Sequence, residues 1–328
     1  MPGSRAPASP PRAGMSAQMS SVPQVRSVAL RVSAFFHRHP VVRLLLFLLP
    51  GLLWLGVLYL GSLGSLVLYS LWSLEEFTGL VVRRFTISTF AQLAQPANYE
   101  IVLRTVGMAA AVSVACALLA FPISYYMARY ATARMKTFLY IGVIMPLWTS
   151  YLVRALAWRS VMAGEGVFMW VVQRLGLDGV MRAILRAPVV GGPTLIQSKF
   201  SLFVVYVYLW LPYMILPVQA ALERVPLSFL EASDDLGARP GTTFRRIVLP
   251  LAKPGLVAGS IFTFSLTLGD FILPQIFGTS EFYLGQMVYV QQGVAGNLPL
   301  AAVFTFVAMA VMVLYLAIAR RAGAFEAL

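Results

Sequence analysis

Long apolar runs without charge dominate the sequence pattern. Six runs contain no Asp, Glu, Lys or Arg and are strongly apolar, at 44–74, 105–128, 137–153, 200–222, 254–269 and 282–319. A charge at the centre of a membrane helix costs about 2.5–3.5 kcal/mol, and a helical span needs about 20 residues. The pattern therefore predicts an all-α membrane protein with six transmembrane helices.

Three of these runs depart from a simple span. The runs 137–153 and 254–269 are short, and each is followed by one charged residue, Arg154 or Asp270. Such a residue snorkels to the interface or faces the interior of the helix bundle. The last run has its apolar stretch at 298–319, after a polar turn.

The overall composition supports a membrane location. Hydrophobic residues make up 59% of the chain and charged residues 11%, against about 25% charged in soluble domains. Soluble enzymes and small secreted scaffolds are therefore excluded. The single cysteine, Cys116, excludes a disulfide framework and a multi-thiolate metal site. The two histidines, His37 and His39, lie in a polar tail, which argues against a buried histidine-ligated metal centre.

Basic residues predict the orientation. Sixteen of the 25 Lys and Arg residues, with a net charge of +11, fall in four segments, 1–43, 129–136, 223–253 and 320–328. The remaining connections have a net charge of only +2. By the positive-inside rule, these four segments are cytoplasmic, and so are both termini. The basic balance therefore requires no nucleic-acid partner.

The segments outside the spans have distinct compositions. Residues 1–40 are rich in Pro, Ser, Ala and Arg and predict a disordered cytoplasmic leader, while 321–328 form a cytoplasmic tail. The uncharged residues 85–99 are polar enough to predict a loop. The outer connection 155–199 contains a mixed segment, 161–177, that predicts a short helix on the outer surface.

The cytoplasmic loop 223–253 carries strong local signals. Ser228-Phe-Leu-Glu231 fits a capping box, which predicts a short helix that ends at Gly237 in a left-handed conformation. A second short helix is predicted over 244–249. Two short helices joined by a glycine turn make a rigid protrusion, although such a loop can also serve only to stabilise helix ends.

The same loop carries a spaced motif. Glu231-Ala232-Ser233 is followed after three residues by Gly237, and after nine more by Ile247-Val248-Leu249-Pro250. This spacing resembles the EAA loop of permease subunits in binding-protein-dependent ABC importers, with Ser233 in place of the second alanine. The pattern Glu-Ala-x-x-Asp-Leu-Gly-Ala-Arg-Pro at 231–240, which includes Asp235 and Arg239, is close to that of spermidine/putrescine permeases.

Two further segments extend the resemblance over residues 41–320. Pro146-Leu-Trp148-Thr-Ser150-Tyr-Leu-Val-Arg154, followed by Ala157-Trp158, resembles the third helix of the spermidine/putrescine group. Gly269-Asp270-Phe271 with Pro274 resembles the acidic segment in the fifth helix of that group. Leu156 stands where the group usually has tyrosine, which leaves the substrate open.

The resemblance implies a type I ABC importer permease fold in a bacterial inner membrane. Such a permease pairs with a second permease subunit, here as a heterodimer, and with two ATPase subunits and an extracytoplasmic substrate-binding protein. The loop 223–253 would carry the coupling helix that meets the ATPase. No Gly-x-x-x-x-Gly-Lys-Ser/Thr occurs, so this chain has no phosphate-binding loop of that type, and ATP with Mg²⁺ belongs to the partner subunit.

Candidate substrate contacts follow from chemistry and from the resemblance. An acid within apolar sequence is a functional-site hypothesis, and Asp270 suits a polyammonium substrate, although an ion pair with Arg154 is the structural alternative. Aromatic rings attract alkylammonium groups, but they also form interface belts. The candidate pathway residues are Trp148, Ser150, Tyr151, Arg154, Trp158, Tyr213 and Asp270.

Other functions remain open at this point. Related permeases carry other small solutes, such as aminophosphonates or opines. A secondary transporter of six helices would show inverted repeats and ionisable relay residues within its spans, and neither is evident in this sequence. A membrane-embedded enzyme would need a cluster of His, Asp, Ser or Cys, which the apolar runs lack.

Overall fold

A computed structural model describes residues 40–75, 78–277 and 281–321. The chain divides into two compact units, Met1–Leu63 and Gly64–Leu328. Nearly all of the predicted leader and tail lies outside the described residues.

The first unit consists, in its described part, of the beginning of helix α1, Pro40–Ser70. None of residues 40–63 is buried, and nearly all of them are apolar. The internal Pro50 removes one backbone donor, and the helix widens a turn later into a π-helical stretch, Trp54–Leu60. An exposed apolar helix of this length is suited to a lipid environment.

The second unit begins with small elements that lead into a long helix. Two short strands, β1 (Ser73–Leu74) and β2 (Val81–Val82), form an antiparallel pair, and the short helix α2 (Ser88–Ala91) follows. Helix α3, Pro96–Arg129, starts with proline at its first turn, where the missing N–H has no consequence. The predicted loop over 85–99 was therefore wrong at α2 and again at its last residues, 96–99, which are helical.

The third apolar run is not one continuous helix. Helix α4 and a 3₁₀ turn extend over Ala133–Trp148, and helix α5, Tyr151–Val161, follows at an angle of 100°. Thr149 and Ser150 adopt extended backbone between them. The prediction of a single third helix was wrong at this point, because Pro146 and the two polar residues interrupt the hydrogen-bond ladder.

The connection after α5 contains two short helices where one was predicted. Helix α6, Val167–Arg174, lies within the predicted segment, and helix α7, Asp178–Arg186, follows it. Gly166 precedes α6 because a Cβ there would collide with the backbone oxygens of Val161 and Ser160.

Helix α8, Lys199–Glu223, is the central helix of the second unit. It packs against α3 and against α10, Pro240–Gly269, and contributes many of the buried core residues. Two glycines of α10 permit the close approach. A Cβ on Gly255 would lie 2.6 Å from the carbonyl oxygen of Pro217, and one on Gly259 would meet the side chain of Met214.

The loop between α8 and α10 is shorter than predicted. Helix α9, Leu227–Asp235, is its only separate helix among the described residues, because the predicted second helix is the first part of α10. Pro250 does not stop that helix, which continues through a π-helical turn to Gly269. The capping box was also wrong: Pro226 is the N-cap of α9, so Ser228 already lies within the helix.

Three helices complete the described chain. Helix α11 (Ile272–Phe277) and helix α12 (Leu284–Gly293) are short. The last helix, α13 (Leu298–Arg321), begins at the residue where the sequence predicted the last apolar stretch to begin. The described residues contain five helices long and apolar enough to cross a membrane, and six spans if the bent α4–α5 pair is one span. The predicted all-α membrane architecture is confirmed.

Candidate functional sites

Helix α9 ends in a tight, well-bonded turn. Gly237 has φ of +70°, as predicted, and its N–H donates to the carbonyl of Asp234 at 2.8 Å. The N–H of Ala238 donates to the carbonyl of Ser233 at 3.0 Å. This pair of bonds is a Schellman motif, which requires the left-handed conformation that glycine adopts without a Cβ penalty.

Ser233 connects α9 to the start of α10. Its side chain is buried, and its hydroxyl forms a 2.8 Å hydrogen bond with the hydroxyl of Thr243. Alanine at this position would fill similar space but would leave Thr243 without this bond. The departure of Ser233 from the EAA pattern therefore has a local structural reason.

The outward side of α9 combines apolar and acidic side chains. Leu236 is 86% exposed, and Leu227 and Phe229 are more than half exposed. Exposed Glu231 and Asp235 lie on the same short helix, as do exposed Ala232 and Asp234. We call the exposed residues of 227–236, which exclude the buried Ser233 and the half-buried Leu230, the α9 surface. Sequence reasoning missed its leucines and phenylalanine, although their position in a polar loop was a visible signal.

The first turns of α10 are basic. A cavity of about 700 Å³ is lined by Arg239, Gly241, Thr242, Arg245 and Arg246. Of the other predicted coupling residues, Ile247 is half-buried, and Leu249 and Pro250 are exposed. The structure therefore brings together an acidic and apolar helix, α9, and a basic helix start within one short loop.

The aromatic candidates fall into separate groups. The ring of Tyr151 stacks on Trp210 with centroids 5.8 Å apart and planes 7° apart, and Tyr213 meets the edge of the same indole at 5.8 Å. Trp158 packs instead on Tyr208, at 4.9 Å. Trp148 is 81% exposed at the α4–α5 bend, and neighbouring Ser150 is exposed too.

Asp270 lies at the break between α10 and α11. Its carboxylate accepts hydrogen bonds from the Tyr151 hydroxyl at 2.7 Å and from the backbone N–H groups of Ile272 and Leu273 at 3.1 and 3.3 Å. It therefore caps the first amides of α11 and ties that helix to α5. Trp210 stacks on Tyr151 and so belongs to the same group.

The predicted ion pair between Asp270 and Arg154 is not among the ion pairs of the described residues. That reading of Asp270 was wrong, because backbone amides and a tyrosine hydroxyl already satisfy the carboxylate. Arg154 is only 9% exposed, and its Nε and Nη1 atoms have no hydrogen-bond partner in the described part of the chain.

Two ion-pair groups hold the helices at opposite ends of α8. Glu281 pairs with Lys199 at 2.7 Å and with Arg104 at 3.0 Å, at the start of α8. At the other end, Glu223 pairs with Lys136 at 2.7 Å. Both groups are partly exposed, so each pair contributes about 0–1 kcal/mol. Sequence reasoning missed them, because their partners are distant along the chain.

The family of the chain follows from comparison with known proteins. Residues 120–324 match the family model described as "Binding-protein-dependent transport system inner membrane component". This protein belongs to that family. It is therefore a permease subunit of an ABC importer, and members of this family are multi-pass inner-membrane proteins. The rival class of secondary transporter is set aside by this match.

Individual relatives sharpen the placement. The chain is 53% identical over 298 residues to the inner membrane ABC transporter permease protein YdcU of Escherichia coli K12, covering 91% of this chain and 95% of that protein. It is 27% identical over 208 residues to the spermidine/putrescine permease PotB of Salmonella typhimurium, covering 63% and 68%.

Solved structures show the same fold. A bacterial alginate ABC transporter in complex with an alginate pentasaccharide-bound periplasmic protein matches with a TM-score of 0.64 at 16% identity, covering 88% of this chain and 96% of the matched chain. The MetNI methionine ABC transporter matches with a TM-score of 0.50 at 18% identity, covering 68% and 93%. At these identities the likeness concerns the fold, which is that of type I ABC importer permeases.

Proposed function

We propose that this permease subunit imports small organic amines, with polyamines such as spermidine and putrescine as the first candidates. The relation to PotB supports this substrate class, since PotB belongs to a spermidine/putrescine transport system. The aromatic group of Tyr151, Trp210 and Tyr213 beside Asp270 also supports it, because aromatic faces and carboxylates attract ammonium groups. The remaining candidates, Trp148, Ser150, Arg154 and Trp158, would line the same pathway.

Transport would be driven by a separate ATPase that binds the α9 surface. The observation that carries this step is the exposure of Leu236, together with Phe229 and Leu227, on a helix whose end is fixed by a Schellman motif. Exposed apolar side chains on a rigid protrusion indicate a protein partner. Glu231, Asp235, Arg239 and the residues around Pro250 would complete the contact. The ATPase dimer would use ATP and Mg²⁺, and this chain would bind no cofactor.

The remaining partners follow from the type of system. A second, different permease subunit would complete the pore, and an extracytoplasmic binding protein would deliver the substrate. Both termini and the α9 surface would face the cytoplasm, in line with the distribution of basic residues. The bilayer would be a further partner, and we expect no nucleic acid.

The coupling role is tested by a charge placed in the α9 surface. Leu236→Asp should reduce co-purification of the ATPase with the permease at least tenfold, while the permease still inserts in the membrane. Leu175→Asp is the matched control, because Leu175 is similarly exposed in the loop after α6. Equal ATPase recovery in the Leu236 variant and in the wild type would refute the docking role.

The substrate class is tested by uptake in cells that express the complete importer. Labelled putrescine and spermidine should accumulate in an ATP-dependent manner, and accumulation should stop when this chain is deleted. An importer that takes up neither compound, nor any other amine in competition assays, would contradict the proposed class.

A further inference from the structure

Arg154 is a buried cation that lacks, among the described residues, the partners such a group needs. Its side chain is 9% exposed, and its Nε and Nη1 donors reach no acceptor among the described residues. Removing a charged group from water is costly, and the cost is offset only when its hydrogen bonds are made. Native proteins leave few buried donors unpaired, so each one calls for an explanation.

A second buried donor, which also has no acceptor among the described residues, lies beside Tyr151. The indole Nε1 of Trp210 is buried and has no acceptor in the described residues, and the Trp210 ring stacks on Tyr151. Arg154 follows Tyr151 by three residues on α5, so the two side chains project from one face of that helix. Within the described part of the chain, three buried N–H-bearing atoms near Tyr151 therefore lack acceptors.

The two broken helices differ in how their first amides are satisfied. The carboxylate of Asp270 caps the first amides of α11. At α5, the side chain of Ser150 makes no capping bond. The start of a helix presents N–H groups and favours negative charge. The start of α5 therefore adds further donors to those of Arg154. The local acid is already committed to its own helix, so the unmet requirement at this point is for an acceptor.

We infer that the substrate carries an acidic group beside its amine, and that Arg154 with the indole N–H of Trp210 binds this group. The inference rests on the proposed import of amines, and within that class it favours zwitterions over the polyamines, which carry no acidic group. A guanidinium group presents a fork of donors that fits the two oxygens of a carboxylate, or the oxygens of a phosphonate. The aromatic rings of Tyr151 and Tyr213 would face the ammonium end.

The experiment compares two compounds of equal length. A diamine and the ω-amino acid with the same carbon chain differ only in one terminal group, an ammonium or a carboxylate. Uptake of both is measured in cells that express the complete importer with wild-type permease, Arg154→Gln, Arg154→Lys, or Arg159→Gln. Arg159 is the matched control, because it lies on the same helix and is exposed.

The expected result is a change of selectivity. Arg154→Gln should lower ω-amino acid uptake about ten- to a hundred-fold relative to diamine uptake, because a charge-assisted hydrogen-bond pair is lost. Arg154→Lys keeps the charge but not the fork and should give a smaller loss, and Arg159→Gln should leave the ratio unchanged. If the wild type takes up only the ω-amino acid, the result is read from the fall in ω-amino acid uptake in the Arg154 variants, compared with uptake in Arg159→Gln.

Several results would overturn the inference. If the wild-type importer takes up the diamine alone, the proposed import of amines stands, but the substrate carries no acidic group. Equal loss of both compounds in Arg154→Gln and Arg154→Lys would assign Arg154 a structural role. If Arg154→Gln fails to co-purify with the second permease subunit, that second subunit supplies the acceptor for Arg154 and the substrate does not. Uptake of neither compound would overturn the inference, and it would refute the proposed function as well only if no other amine competes for uptake.

Discussion

Gly237 and Ser233 determine the shape of the α9 surface by different means. Gly237 supplies a backbone conformation, with φ of +70°, that ends the helix and turns the chain toward α10. Ser233 supplies a hydroxyl that bonds Thr243 at the start of α10. One residue therefore acts through the backbone and the other through its side chain, and both orient the helix that we propose to bind the ATPase.

Substitution of Gly237 should have a conformational cost alone. A Cβ at Gly237 has no neighbour within 4 Å, and the same is true of Gly241, which has an ordinary backbone conformation. Gly237→Ala should therefore destabilise the turn by about 1–2 kcal/mol and reduce coupled ATPase activity, whereas Gly241→Ala should not. Thermal unfolding of the purified importer and its ATPase rate provide the measurement. Similar effects of both substitutions would contradict the role of positive φ.

Residue-level signals in the sequence were reliable only where they depend on backbone geometry. Gly237 could be predicted because a glycine after a short helix commonly adopts the left-handed conformation. The capping box at Ser228 could not be judged from its pattern. Pro226 is the N-cap and the helix begins at Leu227, so Ser228 is already helical. The pattern gives the residue types, but not the register of the helix.

At the scale of elements, the informative features are the breaks in α4–α5 and α10–α11. Uncharged runs predicted both regions as spans, since apolar composition decides insertion. The 100° bend and the short helix α11 could not be predicted from composition, because they depend on which groups satisfy the freed backbone. For α11 that group is the carboxylate of Asp270, which sequence reasoning placed in a substrate contact or an ion pair.

Capping and ion pairing predict different effects of substitution at Asp270. Asn caps helices about as well as Asp but has one acceptor oxygen instead of two, so Asp270→Asn should keep most of the cap and lose less thermal stability than Asp270→Ala. Asp270→Ala removes the cap and should cost about 1–2 kcal/mol. Adding Arg154→Gln should not restore stability, since the two residues form no ion pair.

Thermal unfolding of the purified importer distinguishes the two cases, with Gln275→Ala as a control on the exposed side of α11. Rescue of Asp270→Ala by Arg154→Gln would instead support a charge pair formed in another state.

The contact between α8 and α10 depends on small residues. Gly255→Ala would place a methyl group 2.6 Å from the carbonyl oxygen of Pro217, so the helices must separate or bend. Overpacking of this kind typically costs about 1–3 kcal/mol, and we expect a lower yield of assembled permease. Gly142→Ala on α4 is the control, because its Cβ would have no neighbour within 4 Å. Unchanged assembly in Gly255→Ala would show that the helix contact adapts without cost.

At the scale of the whole molecule, charge and hydropathy predicted the architecture but not the sites. Apolar runs predicted six spans, because the cost of inserting charge applies to every residue of a run, and the described residues contain five such helices, or six if the bent α4–α5 pair is one span. The aromatic group around Tyr151 depends on contacts between residues distant along the chain. So does the lack of acceptors, among the described residues, for donors of Arg154 and Trp210. Their positions require the packing of α5, α8 and α11, which no local pattern contains.

The orientation of the molecule is the prediction that the basic residues make most directly. Single cysteines at Ser228 on α9 and Glu165 in the loop after α5 should lie on opposite sides of the membrane. Both positions are exposed. Cys116 is buried, and Cys116→Ala removes any residual reaction. In intact cells, an impermeant maleimide should label Glu165→Cys at least tenfold more than Ser228→Cys. In permeabilised cells, it should label both cysteines. Labelling of Ser228→Cys from outside would reverse the topology and place the α9 surface beyond the reach of a cytoplasmic ATPase.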